Sequence, residues 1–347
     1  MDSVNLELGV AHDDRRPGAL ARWWRSKAMR RFRRNPLAIV GVLISVAFAL
    51  VAIFAPQLTL GPDARNCLRD LGLTAETVSE VRNPLSGVFW RAIVVPPDHA
   101  CYTVPRTTFS PIPVGPAEGS IMGTTSGGYD IFYGLVWGTR TAFLIGLFVV
   151  GFGLVVGIIF GSIAGYFGGW VDNALMRFTD IVLSLPSLVL ALVLITVFGN
   201  SIFNLMLAIA LTQWPAYARL LRGDILRVKE LEYVQSARAL GARGPSIIFR
   251  HVLPNAISSL LVIASLDIGS VVLIAASLSF LGLGTPVGYA DWGQMISFAR
   301  QWIIGPPGDP FGYWFVSFWP GVTILLFVLG WNLLGDAFRD VFDPRSQ

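Results

Sequence analysis

The chain has 347 residues, of which 54% are hydrophobic and 14% charged, with a formal net charge of +4. A soluble domain carries about 25% charged residues, so this composition, with its long uncharged runs, excludes an ordinary globular protein and points to an integral membrane protein. Lysine stands only at positions 27 and 229, so the positive balance is arginine charge, and its placement matters more than its size.

Residues 1–36 form a polar, basic tail ending in WWRSKAMRRFRRNP. Trp23 and Trp24 followed by six basic residues predict an interfacial helix, with tryptophans at headgroup level and arginines facing lipid phosphate. The alternative is a basic tail without fixed structure. Lipid is the expected partner of this charge, and no nucleic acid is. The start is acidic and polar, so a cleavable signal peptide is not expected. The first transmembrane helix is placed at 37–56, its apolar run covering Leu37 to Phe54, enough for about 27 Å. The basic tail before it puts the N-terminus in the cytoplasm.

Residues 57–136 read as an enlarged extracytoplasmic loop or small subdomain between helices one and two. It balances five basic residues with seven acidic ones and holds both cysteines, Cys67 and Cys101. In an oxidising compartment these make a disulfide candidate, worth roughly 3 to 4 kcal/mol in the chain-entropy model. The alternative is two free thiols. No CxxC pair exists and His12, His99 and His251 are scattered, so no metal site is expected.

Residues 137–335 are read as a transmembrane core holding helices two to six. The second span, Thr141 to Val171, is uncharged and carries Gly153, Gly157, Gly161 and Gly165, three overlapping GxxxG pairs that predict a close helix contact. Asp172, Arg177 and Asp180 are expected to mark a cytoplasmic turn. The uncharged stretch Ile181 to Ala218 is too long for one span. Gly199-Asn200-Ser201 splits it in two, with Pro186 kinking the first half. A fifth span, Ala256 to Phe280, carries Asp267 about midway. A carboxylate at that depth is expected to line a path, unless the span is offset and places it at an interface. A sixth span, Tyr313 to Gly335, follows an outside loop at 282–312, and residues 336–347 form a cytoplasmic tail.

The polar stretch 222–254 interrupts this apolar half. Arg222, Arg227, Lys229, Arg238, Arg243 and Arg250 fall in it, with Arg219 just upstream. Leu231, Val234, Ala237 and Leu240 predict a helix over 230–240 with one apolar face. Gly241 signals its end, and Gly244-Pro245 restarts the chain as a second short helix closed by Leu253-Pro254. Two short helices with a fixed elbow suit a docking surface for a soluble partner better than a linker. The chain has no GxxxxGK[ST], no Gly-x-Ser-x-Gly and no HExxH, so neither nucleotide binding nor catalysis is expected on it. A transporter energised elsewhere fits best. An exporter component, an ion-coupled secondary transporter using Asp267, and a membrane-anchored receptor are the other readings.

Residues 232–255, EYVQSARALGARGPSIIFRHVLPN, resemble the cytoplasmic EAA loop of ABC importer permeases. Gln235, Ser236 and Ala237 stand at its first triplet, Gly241 at its glycine, His251 at its isoleucine and Leu253-Pro254 at its end. Arg250, His251 and Asn255 are similar to the peptide/nickel branch. RRFRRNPLAIVG (30–41), MGTTSGGYDIFYGLVWGTRTA (122–142), SLSFLGLG (277–284) and LGDAFRDVFDPR (334–345) resemble the C-type subunit of dipeptide/oligopeptide permeases. Tyr129 stands where that family has arginine, and Ala275 where it often has glutamate. The resemblance implies an all-α membrane protein with six transmembrane helices in the type I ABC importer permease fold. It implies ATPase coupling through Glu232, Gln235, Ser236, Ala237, Leu240, Gly241, Ala242 and Arg243. The implied partners are a second homologous permease, two cytoplasmic ABC ATPases holding ATP and Mg, and an extracytoplasmic solute-binding protein. No cofactor is implied on this chain. The implied cargo is a peptide, with nickel chelate or glutathione-type substrates as alternatives, and the implied location is a prokaryotic cytoplasmic membrane.

Overall fold

A computed structural model describes residues 35–59, 93–107 and 109–342. The tail helix expected before residue 35, Cys67, residues 60–92 and 108 of the enlarged loop, and the last five residues lie outside the described residues. Among those described, no strand forms. There are helices and isolated β-bridges such as Thr103 with Tyr289.

Helix α1 is Pro36–Ile53. It begins there because the Asn35 side chain accepts from the Leu37 and Ala38 N–H groups at 3.1 and 3.4 Å, and Pro36 takes the first position, where no N–H is missed. Its far end is capped from another helix. Arg140 donates to the carbonyls of Ala52 and Ile53 at 2.5 and 3.1 Å, while its guanidinium lies 4.9 Å from the Trp137 ring centre.

Arg140 belongs to α2, Ile131–Phe167, about 55 Å long. This helix starts ten residues before the expected Thr141. Asp130 caps it, accepting from Tyr133 N at 2.7 Å, and Arg140 is absorbed by its task at the end of α1. The four glycines form one seam against α5, Ile202–Val228, in the most extensive contact among the described helices. A Cβ on Gly157 would lie 2.5 Å from Tyr217 Cβ and 3.1 Å from Ala218 N; one on Gly161 would lie 2.7 Å from Ala218 O. The small-residue pattern thus brings backbone to backbone, as the sequence predicts.

One expectation fails between these helices. Asp172, Arg177 and Asp180 do not mark a turn. They lie in a helix, α3, Gly169–Leu183. The kink expected at Pro186 is present: helix α4, Ser187–Phe198, is 12 residues long and bends 84° from α3. Ion pairs with α5 hold the acidic residues on α3. Arg222 holds Asp172 through two bonds of 2.5 and 2.6 Å, and Arg219 pairs with Asp180. Pro186, at the break, helps to end the first helix. The turn expected at Gly199-Asn200-Ser201 is present, with Gly199 at φ +89° and Ser201 capping Asn204 N at 3.1 Å.

The remaining elements are α6, Glu232–Ala239; α7, Gly244–Phe280; α8, Trp292–Ala299; and α9, Trp314–Phe342. Leu253-Pro254 does not close a separate short helix. The chain passes through a π turn at Ile248–Val252, where Leu253 N reaches back five residues to Ile248 O, and continues. That wider turn accommodates the ring and the missing N–H of Pro254. Asp291 caps α8 by accepting from Gly293 N at 2.9 Å and from Thr285 Oγ1 at 3.0 Å. Burial pushes its carboxyl above the usual range despite those bonds. Trp292 seats α8 on α2, donating to Leu135 O at 3.0 Å, and packs edge-on against Phe48 and Phe327 in the central core.

Four helices, α1, α2, α7 and α9, are long and apolar enough to cross a membrane, and the bent pair α3–α4 makes a fifth crossing if it counts as one. Helix α5 is long enough but is diluted by Asn204, Gln213 and Arg219. Cys101 is fully buried and is not a free thiol.

Candidate functional site

The basic stretch folds as an elbow on the ends of α2, α5 and α7. Past α5, Lys229 donates to Gly165 O on α2 at 3.3 Å. The Gln235 amide turns back to Glu230 O at 3.1 Å and fixes the turn into α6. That helix carries Glu232 in its first turn and Arg238 in its last, the signs its dipole favours.

Val234 is the anchor of α6. It is fully buried with Leu221, Ile225, Ile247, Val252 and Leu260. The single apolar face expected from Leu231, Val234, Ala237 and Leu240 does not exist. Val234 is buried and Ala237 partly so, but Leu231 faces outward and Leu240 is 88% exposed. The helix has only eight residues, and the turn at its end swings Leu240 away.

That turn is a Schellman motif. Ala242 N reaches Ala237 O at 3.1 Å and Gly241 N reaches Arg238 O at 3.0 Å, with Gly241 at φ +82°. Only glycine enters this region without cost. A Cβ at Gly241 would meet no atom of the described residues within 4 Å. Arg243 then stands just before the start of α7, with no capping bond from its side chain. Gly244 is pressed on α2, where a Cβ would lie 2.6 Å from Tyr166 Oη.

Of the expected coupling residues, Glu232, Gln235, Ser236, Leu240, Gly241 and Arg243 are exposed on this elbow, and Ala237 and Ala242 are partly buried beneath it. The structure adds Tyr233 and Phe249, both exposed, with Tyr233 Oη donating to His251 O at 3.4 Å. Nothing in the sequence separates these aromatics from core residues; only the elbow turns them out. The surface is therefore apolar at its tips and basic between them, on a base fixed to three helices. Such a surface can take a load but holds no chemistry. Among the described residues no group of three or more His, Cys, Asp or Glu could bind a metal.

Asp267 is not part of the elbow. It lies about 35 Å further along α7, on the same unbroken helix. Movement of the elbow is therefore movement of the helix that carries Asp267.

Residues 157–347, more than half the chain, match the family described as "Binding-protein-dependent transport system inner membrane component". The chain belongs to this family. It is a multi-pass membrane component of a transport system rather than an enzyme. Residues 23–70 also match the N-terminal transmembrane domain of oligopeptide transport permease C. The chain is 36% identical to the dipeptide transport system permease protein DppC of Alkalihalophilus pseudofirmus, over 93% of this chain and 90% of that one. It is 35% identical to the probable D,D-dipeptide transport system permease protein DdpC of Escherichia coli, over 95% of both chains. The glutathione transport system permease protein GsiD of Pectobacterium atrosepticum is 38% identical over 75% of this chain and 82% of its own.

Proposed function

We propose that this chain is one permease subunit of an ATP-driven importer of peptides. It pairs with a second homologous permease to form the path across the cytoplasmic membrane. Two cytoplasmic ATPases, which hold ATP and Mg, dock on the elbow, and an extracytoplasmic binding protein delivers the cargo. No cofactor belongs to this chain. The observation that carries the reading is the elbow: Leu240 and Gly241 stand free while Val234 ties the same helix to α5 and α7. A load on the tip is passed to two long helices as a rigid body. Closure of the ATPases therefore tilts them and exchanges inward- and outward-facing states.

In this reading α5 also crosses the membrane, since Ile202 to Ala218 is uncharged, and α3–α4 is a single broken span. That makes six crossings with both termini cytoplasmic, which agrees with the basic residues before α1 and in the elbow. Peptide cargo is supported by relatives named for dipeptides, D,D-dipeptides and oligopeptides. The glutathione permeases keep a glutathione-type cargo as the second reading. In the same reading Asp267 lines the path. With the assembled transporter in sealed vesicles, uptake is expected to require hydrolysable ATP and to be unaffected by collapse of ion gradients. Uptake driven by an ion gradient alone would instead favour a secondary transporter using Asp267.

A further inference from the structure

Between α8 and α9 the chain makes a short hairpin, residues 301–313, with the sequence QWIIGPPGDPFGY. Its own backbone closes it. Gly305 N donates to Pro310 O at 2.9 Å, Asp309 N to Pro306 O at 3.0 Å and Gly312 N to Asp309 O at 3.2 Å. Trp302 and Tyr313 meet edge to face across its base, 5.2 Å between ring centres. The remaining large apolar side chains turn outward. Ile304 and Phe311 are 79% and 78% exposed, and Ile303 is exposed beside them. A turn that needs no partner to close, yet keeps its apolar side chains outside, presents them to something other than water.

The surroundings identify that cover as lipid. The hairpin runs into an apolar stripe on one face of α9, where Trp314, Phe318, Leu325 and Leu329 are all exposed. It is bonded to the top of the stripe, with Trp314 N donating to Phe311 O at 3.0 Å. Helix α9 packs on α1, of which only Ala38, Gly41 and Ser45 are buried, so this side of the bundle is its apolar periphery. The depth also fits. Trp314 and Asp336 stand about 33 Å apart along α9, close to the roughly 30 Å of a hydrocarbon core. With Asp336 at the membrane face on the elbow's side, Trp314 reaches the opposite face and the hairpin lies at its headgroups. Asp309 is the only charged residue from 301 to 335, and Pro306, Pro307 and Pro310 have no N–H to leave unbonded there. Arg300, exposed at the entry to the hairpin, is in place for a lipid phosphate.

We propose that this hairpin is a lipid anchor on the membrane face opposite the elbow. Ile303, Ile304 and Phe311 enter the boundary between acyl chains and headgroups. Trp302, Tyr313 and Trp314 sit at headgroup level, and Arg300 meets phospholipid phosphate. The far ends of α8 and α9 are thereby held to the lipid while the elbow takes its load at the other face.

The test places a photo-crosslinking amino acid at position 304 or 311 of the complete transporter, with its binding protein, in phosphatidylethanolamine–phosphatidylglycerol vesicles. Both positions are exposed, so the probe replaces no packed side chain, and copurified partner subunits report assembly. Phospholipid adducts, read by mass spectrometry, are expected to dominate at both positions. Their yield should be roughly tenfold or more above that of the same probe at Glu118, an exposed charged position in the segment before α2. Adducts chiefly to the binding protein or to the second permease would overturn the proposal and name that protein as the cover. Lipid yields no higher than at Glu118 would overturn it as well.

Discussion

Gly241→Asp is expected to leave the chain inserted and paired with its partners while ATP-dependent uptake falls by roughly tenfold or more. Two terms act together. The residue must hold φ +82°, where side chains other than glycine cost about 1 to 2 kcal/mol, although aspartate tolerates it better than most. The new carboxylate also projects into a surface whose charged neighbours on either side are Arg238 and Arg243. No atom of the described residues lies within 4 Å of the added Cβ, so the described fold has no reason to fail. The loss should therefore appear in docking and coupling, read as ATPase retained on an affinity-purified permease and as uptake per ATP hydrolysed. Gly241→Asn separates the terms. It keeps the shape and the tolerance for this backbone without the charge, and should retain much of the uptake. Normal uptake by Gly241→Asp would remove the elbow from coupling.

The second large effect is expected at Gly157, and it falls on folding. A Cβ there would stand 2.5 Å from Tyr217 Cβ and 3.1 to 3.2 Å from backbone atoms of Tyr217 and Ala218. Backbone cannot rotate aside, so α2 and α5 must separate along their longest contact. Gly157→Leu should cost at least the 1 to 3 kcal/mol, roughly, of ordinary overpacking. It should also lower both the amount of protein in the membrane and its melting temperature in detergent. Gly151→Leu is the control. It is a glycine of the same helix whose Cβ would meet no atom of the described residues within 4 Å, and it should behave like the parent protein. Equal loss from both would mean that glycine in α2 serves flexibility rather than contact.

These two positions show what can be read from residue order. The glycine seam is a periodic signal in one helix, and its consequence follows whatever the partner. The Asn35-Pro36 start of α1 and the Schellman glycine are likewise local, and each appears within a residue or two of its expected place. The failures are long-range. Asp172 and Asp180 look like the polar residues of a turn until Arg222 and Arg219, 50 and 39 residues away, hold them on α3. Pro254 looks like a helix stop, yet the π turn before it lets α7 run on. Leu240 matches a helical apolar face, but the face belongs to a helix too short to bury it. That error is informative, because an apolar tip left exposed on a fixed elbow is the feature on which the proposed docking depends.

The most direct test uses that tip. A photo-crosslinking amino acid at position 240, in the complete transporter, is expected to capture an ATPase subunit in high yield, with a pattern that changes between nucleotide-free and ATP-bound states. The same probe at Val287, exposed in the loop between α7 and α8, should capture none. Crosslinks from position 240 that reach only lipid or this chain itself, in both nucleotide states, would contradict the account.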